Sequence, residues 1–163
     1  MRYFELAREG RDAFLRQAAP AALVRDGGPL GGDVPDEAEA TLIASAIQLP
    51  PARPAGRPRL AVFPLEKKPG APFSDMITVG RTGNNDVVLN DVTVSRFHAY
   101  FKRRDAGWVV CDAGSKNGTR IDGVRLEPRR EAPIAPGAEV VFGEVRTSFY
   151  PAGELYELLV HAD

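Results

Sequence analysis

The chain has 163 residues, 44% hydrophobic and 26% charged, with 21 Lys and Arg against 22 Asp and Glu for a formal net charge of -1. That is room for one ordinary domain with a sizeable core plus an extension, and the near-neutral balance argues against bulk adhesion to nucleic acid or to an anionic membrane. Cys111 is the single cysteine, which excludes an intrachain disulfide and a cysteine zinc cluster, and no apolar run approaches the ~20 residues of a membrane-spanning helix.

Met1-Arg2-Tyr3-Phe4-Glu5 carries acid early and has no signal-peptide apolar region, so a soluble protein of a reducing compartment, the cytoplasm, is expected. Composition divides the chain near residue 57. Residues 1–49 form an Ala-rich portion expected to be a helical extension: Phe4, Ala7, Phe14, Leu15 and Ala18 recur at roughly helical spacing, and Pro20 closes the pattern. Gly27 to Gly32 is a flexible break. Asp33, Pro35 and the acidic residues Asp36, Glu37 and Glu39 suit the start of a second helix, although Thr41 to Leu49 could equally be an extended strand. Residues 50–58 read as a Pro-rich linker, which is expected to favour extended, polyproline-like geometry.

After the linker, short β-prone runs are separated by Gly, Pro, Asn and Asp. They are Leu60 to Leu65, Met76 to Val79, Val87 to Leu89, Phe97 to Lys102, Trp108 to Cys111, Thr119 to Ile121, Glu139 to Phe142 and Val145 to Tyr150. Many short strands at close spacing indicate an all-β sandwich or barrel. Asp122-Gly123 suits a two-residue hairpin, and Pro136-Gly137 marks another turn. Glu154 to Val160 reads as a short C-terminal helix laying its Leu and Val face on the sandwich.

Three polar clusters interrupt these runs: Gly80-Arg81-Thr82-Gly83-Asn84-Asn85-Asp86, Val94-Ser95-Arg96-Phe97-His98, and Asp112 to Thr119 through Ser115-Lys116-Asn117-Gly118. Arg and Lys suit an oxyanion, hydroxyls and loop amides add neutral donors, and Gly lets the backbone turn closely. No catalytic group, metal or cofactor is expected. Ser95 and His98 could suggest a nucleophile and its base, but no orienting third group or oxyanion feature accompanies them. Asp86 and Asp112 lack metal-ligand spacing and are better read as turn caps, and Cys111 and Trp108 as core.

In this order and spacing, Gly80-Arg81, Asp86, Ser95-Arg96-Phe97-His98, Asp112 and Ser115-Lys116-Asn117-Gly118-Thr119 resemble the forkhead-associated (FHA) domain family over residues 59–150, with residues 151–163 as a C-terminal helix and tail. The resemblance implies an FHA-like β-sandwich of about eleven short strands whose loops bind phosphothreonine peptides. It implies that Arg81 contacts the phosphate, that Ser95 donates to it through hydroxyl and backbone, and that Arg96 and Lys116 add charge. Asn117 then grips the peptide main chain. Gly80, His98, Gly118 and Thr119 are scaffold, the glycine at 80 turning the chain and the histidine tying loops together.

The partners so implied are phosphothreonine-containing proteins, a Ser/Thr kinase or its substrate among them, with no nucleic acid and no membrane insertion. The threonine methyl is expected to enter a small apolar niche. The alternative is a phosphate-independent scaffold whose interface is the N-terminal segment. Thr41, in an acidic context, is a candidate for phosphorylation that would occupy the chain's own loops.

Overall fold

The computed structural model describes residues 2–26, 60–71 and 73–162. The second N-terminal segment with Thr41 and the Pro-rich linker lie outside the described residues. Among those described, two short helices, α1 (Arg2–Arg8) and α2 (Arg11–Gln17), precede eleven strands and a final helix, α3 (Ala152–Ala162).

The strands are β1 (Ala21–Asp26), β2 (Leu60–Pro64), β3 (Ile77–Gly80), β4 (Val87–Val88), β5 (Ala99–Arg104), β6 (Gly107–Asp112), β7 (Thr119–Ile121), β8 (Val124–Arg125), β9 (Glu131–Pro133), β10 (Glu139–Phe142) and β11 (Val145–Pro151). They form a six-stranded sheet, β2-β1-β11-β10-β7-β8, and a five-stranded sheet, β4-β3-β5-β6-β9. The expected β-sandwich is therefore present, with each run expected after the linker lying on an observed strand.

Alternation explains why these sequences stack face to face. Ala99 and Phe101 of β5, Val140 and Phe142 of β10, and Val145 and Phe149 of β11 all turn into one core. There Phe101 stacks on Phe149 with ring centroids 6.0 Å apart, and Trp108 meets Phe149 edge-on at 6.0 Å. Cys111 is buried as a free thiol. The hairpin at Asp122-Gly123 forms as expected: Ile121 pairs with Val124, and both turn residues have positive φ (49° and 83°), the requirement of a type I′ turn.

The expected N-terminal helices are present, but they end earlier than residue 49 and are divided in two. The helical pattern breaks at Gly10, whose φ of 110° only glycine adopts cheaply, so two helices form rather than one. Residues 21–26 are then a strand at the heart of the larger sheet, with Leu23 opposite Phe149 of β11 on one side and Phe63 of β2 on the other. The sheet thus recruits chain from before the linker.

Ala21 and Leu23 face the sandwich core, while Ala22 and Val24 face a second apolar cluster on the outer side. Leu6, Ala7, Phe14, Leu155 and Leu159 complete that cluster, so α1, α2 and α3 pack on the outer face at β1. Leu155 and Leu159 pack as expected, but Val160 is exposed, because it lies about 100° around the helix from Leu159 and so off the buried face. Leu6 and Ala7 of α1 and Phe14 of α2 are likewise spent on the sandwich, whereas Leu15 stays exposed.

Candidate functional site

The loops after β3, after β4 and after β6 lie together at one end of the sandwich. Each is shaped by a buried polar side chain that collects loop donors or carbonyls. In the first loop Asn85 is nearly buried, and its Nδ2 donates to the carbonyls of Arg96 (2.6 Å) and Thr82 (3.0 Å). That bond pins the first loop to the second.

Gly80 makes the junction possible. A Cβ built there would overlap the Arg96 carbonyl oxygen and lie 2.6 Å from the Asn85 amide nitrogen. The expectation that Gly80 turns the chain is corrected: it ends β3 in extended backbone and is needed for close approach. Asp86 accepts from the Lys68 and Thr78 amides at 2.8 Å each and from Lys67 Nζ at 2.7 Å. Burial pushes the Asp86 carboxyl up, but its bonds from Lys67, Lys68 and Thr78 outweigh that and leave its pKa lowered.

The third loop is wrapped around Asp112. Its carboxylate accepts from the Gly114 and Ser115 amides (3.0 Å each), the Ser115 hydroxyl (2.6 Å) and the Thr119 hydroxyl (2.7 Å). Burial again opposes ionisation of Asp112, and the bonds from Ser115 and Thr119 overcome it, so its pKa is lowered. Thr119 and the Asp112-centred turn thus shape this loop.

His98 ties the second loop to the third. The Ser95 amide donates to its Nδ1 at 3.0 Å, which makes Nδ1 the bare nitrogen, so Nε2 carries the proton and donates to the Gly118 carbonyl at 2.9 Å. Burial holds the His98 pKa below its ordinary value and favours this neutral tautomer. Neither ring nitrogen is aimed at the Ser95 hydroxyl, so there is no nucleophile–base pair. The expectation that Ser95 offers its backbone amide to a ligand is corrected, because that amide is engaged by His98.

Ser95 Oγ accepts the Lys116 amide at 3.1 Å, which leaves the hydroxyl proton to donate elsewhere. Asn117 Nδ2 donates to the Thr93 carbonyl at 2.8 Å, so its own Oδ1 remains as an acceptor. Thr93 is braced in turn by the Glu144 amide on its Oγ1 at 3.0 Å.

These loops enclose an open groove of about 460 Å³, and all five residues expected to bind, Arg81, Ser95, Arg96, Lys116 and Asn117, line it. The Arg81 guanidinium reaches only the Val92 carbonyl, at a long 3.5 Å. Among the described residues, Arg81, Arg96 and Lys116 have no carboxylate partner, whereas Arg11, Lys67, Lys102, Arg104 and Arg130 each do. Three uncompensated cations and a hydroxyl donor on one concave surface suit a tetrahedral oxyanion. The sequence reading missed Val92 and Phe97, which also line the groove. Their apolar character in polar loops was the available signal.

Fold and groove define a β-sandwich that presents an oxyanion-receptive loop cluster. Residues 77–143 match the family model of the FHA domain. Over 72 residues it is 44% identical to the oxoglutarate dehydrogenase inhibitor of Corynebacterium diphtheriae, covering 44% of this chain and 48% of the relative. It is 42% identical over 72 residues to the glycogen accumulation regulator GarA of Mycolicibacterium smegmatis, covering 44% of each. The chain thus spans about half the length of the curated relatives it matches. Among solved structures, Mycobacterium tuberculosis EmbR in complex with a low-affinity phosphopeptide aligns with a TM-score of 0.50 at 19% identity, covering 88% of this chain and 29% of that one. This last likeness is one of fold.

Proposed function

We propose that the protein is a non-catalytic module that recognises phosphothreonine in partner proteins, within Ser/Thr kinase signalling. The observation that carries this reading is the convergence of Arg81, Arg96 and Lys116, all without carboxylate partners among the described residues, on the groove that also holds the Ser95 hydroxyl. A phosphothreonine monoester carries about -1.5 to -2 charge near neutral pH and offers three strong acceptor oxygens. Arg81 takes the phosphate by exchanging its long bond to the Val92 carbonyl for a charge-assisted one. Ser95 donates its free hydroxyl proton, and Arg96 and Lys116 supply further field.

Asn117, held by Thr93, presents its amide oxygen to a peptide N–H and so fixes an extended chain without reading its sequence. The lack of a nucleophile–base pair at Ser95 and His98 supports binding without turnover. The names of the relatives, an inhibitor and a regulator, support a regulatory role.

The test is capture of phosphothreonine proteins from a kinase-treated lysate by the immobilised chain. One engaged guanidinium contributes about 1.5–3 kcal/mol, so Arg81→Ala should lower capture roughly ten- to hundredfold. Phosphatase treatment of the lysate should abolish capture by the wild type. Capture that survives both changes would overturn the proposal.

A further inference from the structure

Strand alternation sorts the larger sheet into a core side and an outer side. Thr119 of β7, Phe142 of β10 and Val145 of β11 are buried, so their neighbours Arg120, Val141 and Arg146 point outward. The register sets these residues in one row. Arg125 of β8 lies opposite Arg120, and Arg120 and Arg146 flank Val141 from either side. All three arginines are exposed, and none has a carboxylate partner among the described residues. Glu139, the acid on the same side of β10, pairs with none of them.

The sheet gains nothing from this row. Directly opposed like charges weaken a strand pair, and Arg120 stands against Arg125 with Cβ atoms about 5 Å apart. An acid at either place would serve the pairing of β7 with β8 better. The helical cap does not reach the row either: the outer apolar cluster draws on β1, β2 and β11 and holds no residue of β7, β8 or β10. None of the three arginines lines the phosphate-facing groove.

We infer that Arg125, Arg120 and Arg146, with Val141 as an apolar floor between the last two, form a second docking surface, which takes an acidic helix of a partner protein. This surface lies on the outer sheet face and does not depend on the phosphothreonine reading. Spacing sets the shape of the occupant. Adjacent strands lie about 4.8 Å apart, so Arg125 and Arg120 are about 4.8 Å apart along the row and Arg120 and Arg146 about 9.6 Å. Carboxylates at positions i, i+4 and i+11 of a helix share one face and are separated along it by about 6 and about 10.5 Å, within reach of guanidiniums on flexible stems. Charge decides against other polyanions. Duplex nucleic acid and anionic membranes draw their affinity from many basic contacts at once. Three cations on a chain of net charge -1 are too few for either, but they match the acids on one helix face.

The test is titration of the ¹⁵N-labelled full chain with an unphosphorylated Ala-based peptide of about 18 residues, long enough to be helical in water, bearing Glu at i, i+4 and i+11. Amide shifts should centre on β7, β8, β10 and β11, and binding should weaken as salt rises. Each exposed ion pair contributes up to about fivefold, so the double variant Arg120→Gln/Arg146→Gln should bind the peptide roughly tenfold more weakly. The same variant should unfold at a urea concentration no lower than the wild type, since it relieves the opposed charges, and it should keep the wild-type affinity for a phosphothreonine peptide.

No binding, equal binding of a peptide with the same residues scrambled so that its acids ring the helix, or an affinity untouched in the double variant overturns the inference. Shifts centred on Arg81, Ser95 and Asn117 would assign the peptide to the groove and overturn it too. Tighter binding of duplex DNA or of phosphatidylglycerol vesicles through the same arginines would give the face to another class of ligand. Binding that emerges only after Asp36→Asn, Glu37→Gln and Glu39→Gln would give it to the chain's own acidic stretch. A double variant less stable than the wild type would make the row part of the sheet's own packing. Each of these last three results also overturns the inference.

Discussion

Replacing His98 isolates the link between the second and third loops. The imidazole is fully buried, accepts from the Ser95 amide at 3.0 Å, donates to the Gly118 carbonyl at 2.9 Å, and packs edge-on against Phe142 at 5.8 Å. His98→Leu keeps most of the volume but orphans the Ser95 amide, while the Gly118 carbonyl retains the Gly143 amide at 3.0 Å. A buried donor left unpaired costs about 1–3 kcal/mol, so a loss near 2 kcal/mol is expected. His98→Ala adds a cavity, and large-to-small core changes of this kind cost about 2–5 kcal/mol, so it should lose about 2 kcal/mol more than the leucine variant.

Urea unfolding followed by the fluorescence of Trp108, the single tryptophan, reads both values. Acid sharpens the result. The folded protein resists protonating His98, whereas the unfolded chain takes up the proton below the ordinary value of 6.5, so wild-type stability should fall as pH drops below that value. In His98→Leu this part of the slope should vanish. A leucine variant within about 0.5 kcal/mol of wild type, well under the penalty for an orphaned buried amide, would refute the argument that the imidazole holds the loops.

Gly80→Ala should destabilise by about 3 kcal/mol or more in the same unfolding assay, since its methyl meets the Arg96 backbone and the Asn85 amide, which cannot both retreat without breaking their hydrogen bond. Asp112→Asn should cost about 3 kcal/mol, because an NH₂ group would face donors that now converge on a carboxylate. With its folded pKa lowered, Asp112 contributes stability that is present above the ordinary value of 3.8 and lost as pH falls through the depressed one, so acid unfolding of the asparagine variant should be less steep below pH 3.8. Arg104→Ala, which removes an exposed two-pronged pair with Glu131 at 3.1 and 2.6 Å, should change stability by less than about 1 kcal/mol.

What the sequence disclosed, and what it hid, follows from where each residue's constraint originates. The β runs after the linker were legible because their faces alternate, as in β5 and β11, where one side meets the core and the other does not. Ala21–Asp26 was not legible: it is buried on both faces, so no alternation marks it, and its strand state is imposed by β2 and β11 on either side. The five groove residues were named from the motif order, and they do line one groove.

The motif did not disclose which groups would already be occupied. Ser95 loses its amide to His98, and Gly80 owes its place to the Arg96 carbonyl and not to a turn, both tertiary facts. Val92 and Phe97 sat inside the motif loops, but their exposure depends on which way the loop faces.

The most direct measurement of the central claim is calorimetric titration of a phosphothreonine peptide and its unphosphorylated twin into the wild type and Arg81→Ala. The phosphorylated peptide should bind the wild type, more weakly as salt rises, Arg81→Ala should bind it roughly ten- to hundredfold more weakly, and the twin should give no heat with either protein. Equal binding of the two peptides, or an Arg81→Ala isotherm that overlays the wild type, would contradict a phosphate-reading groove.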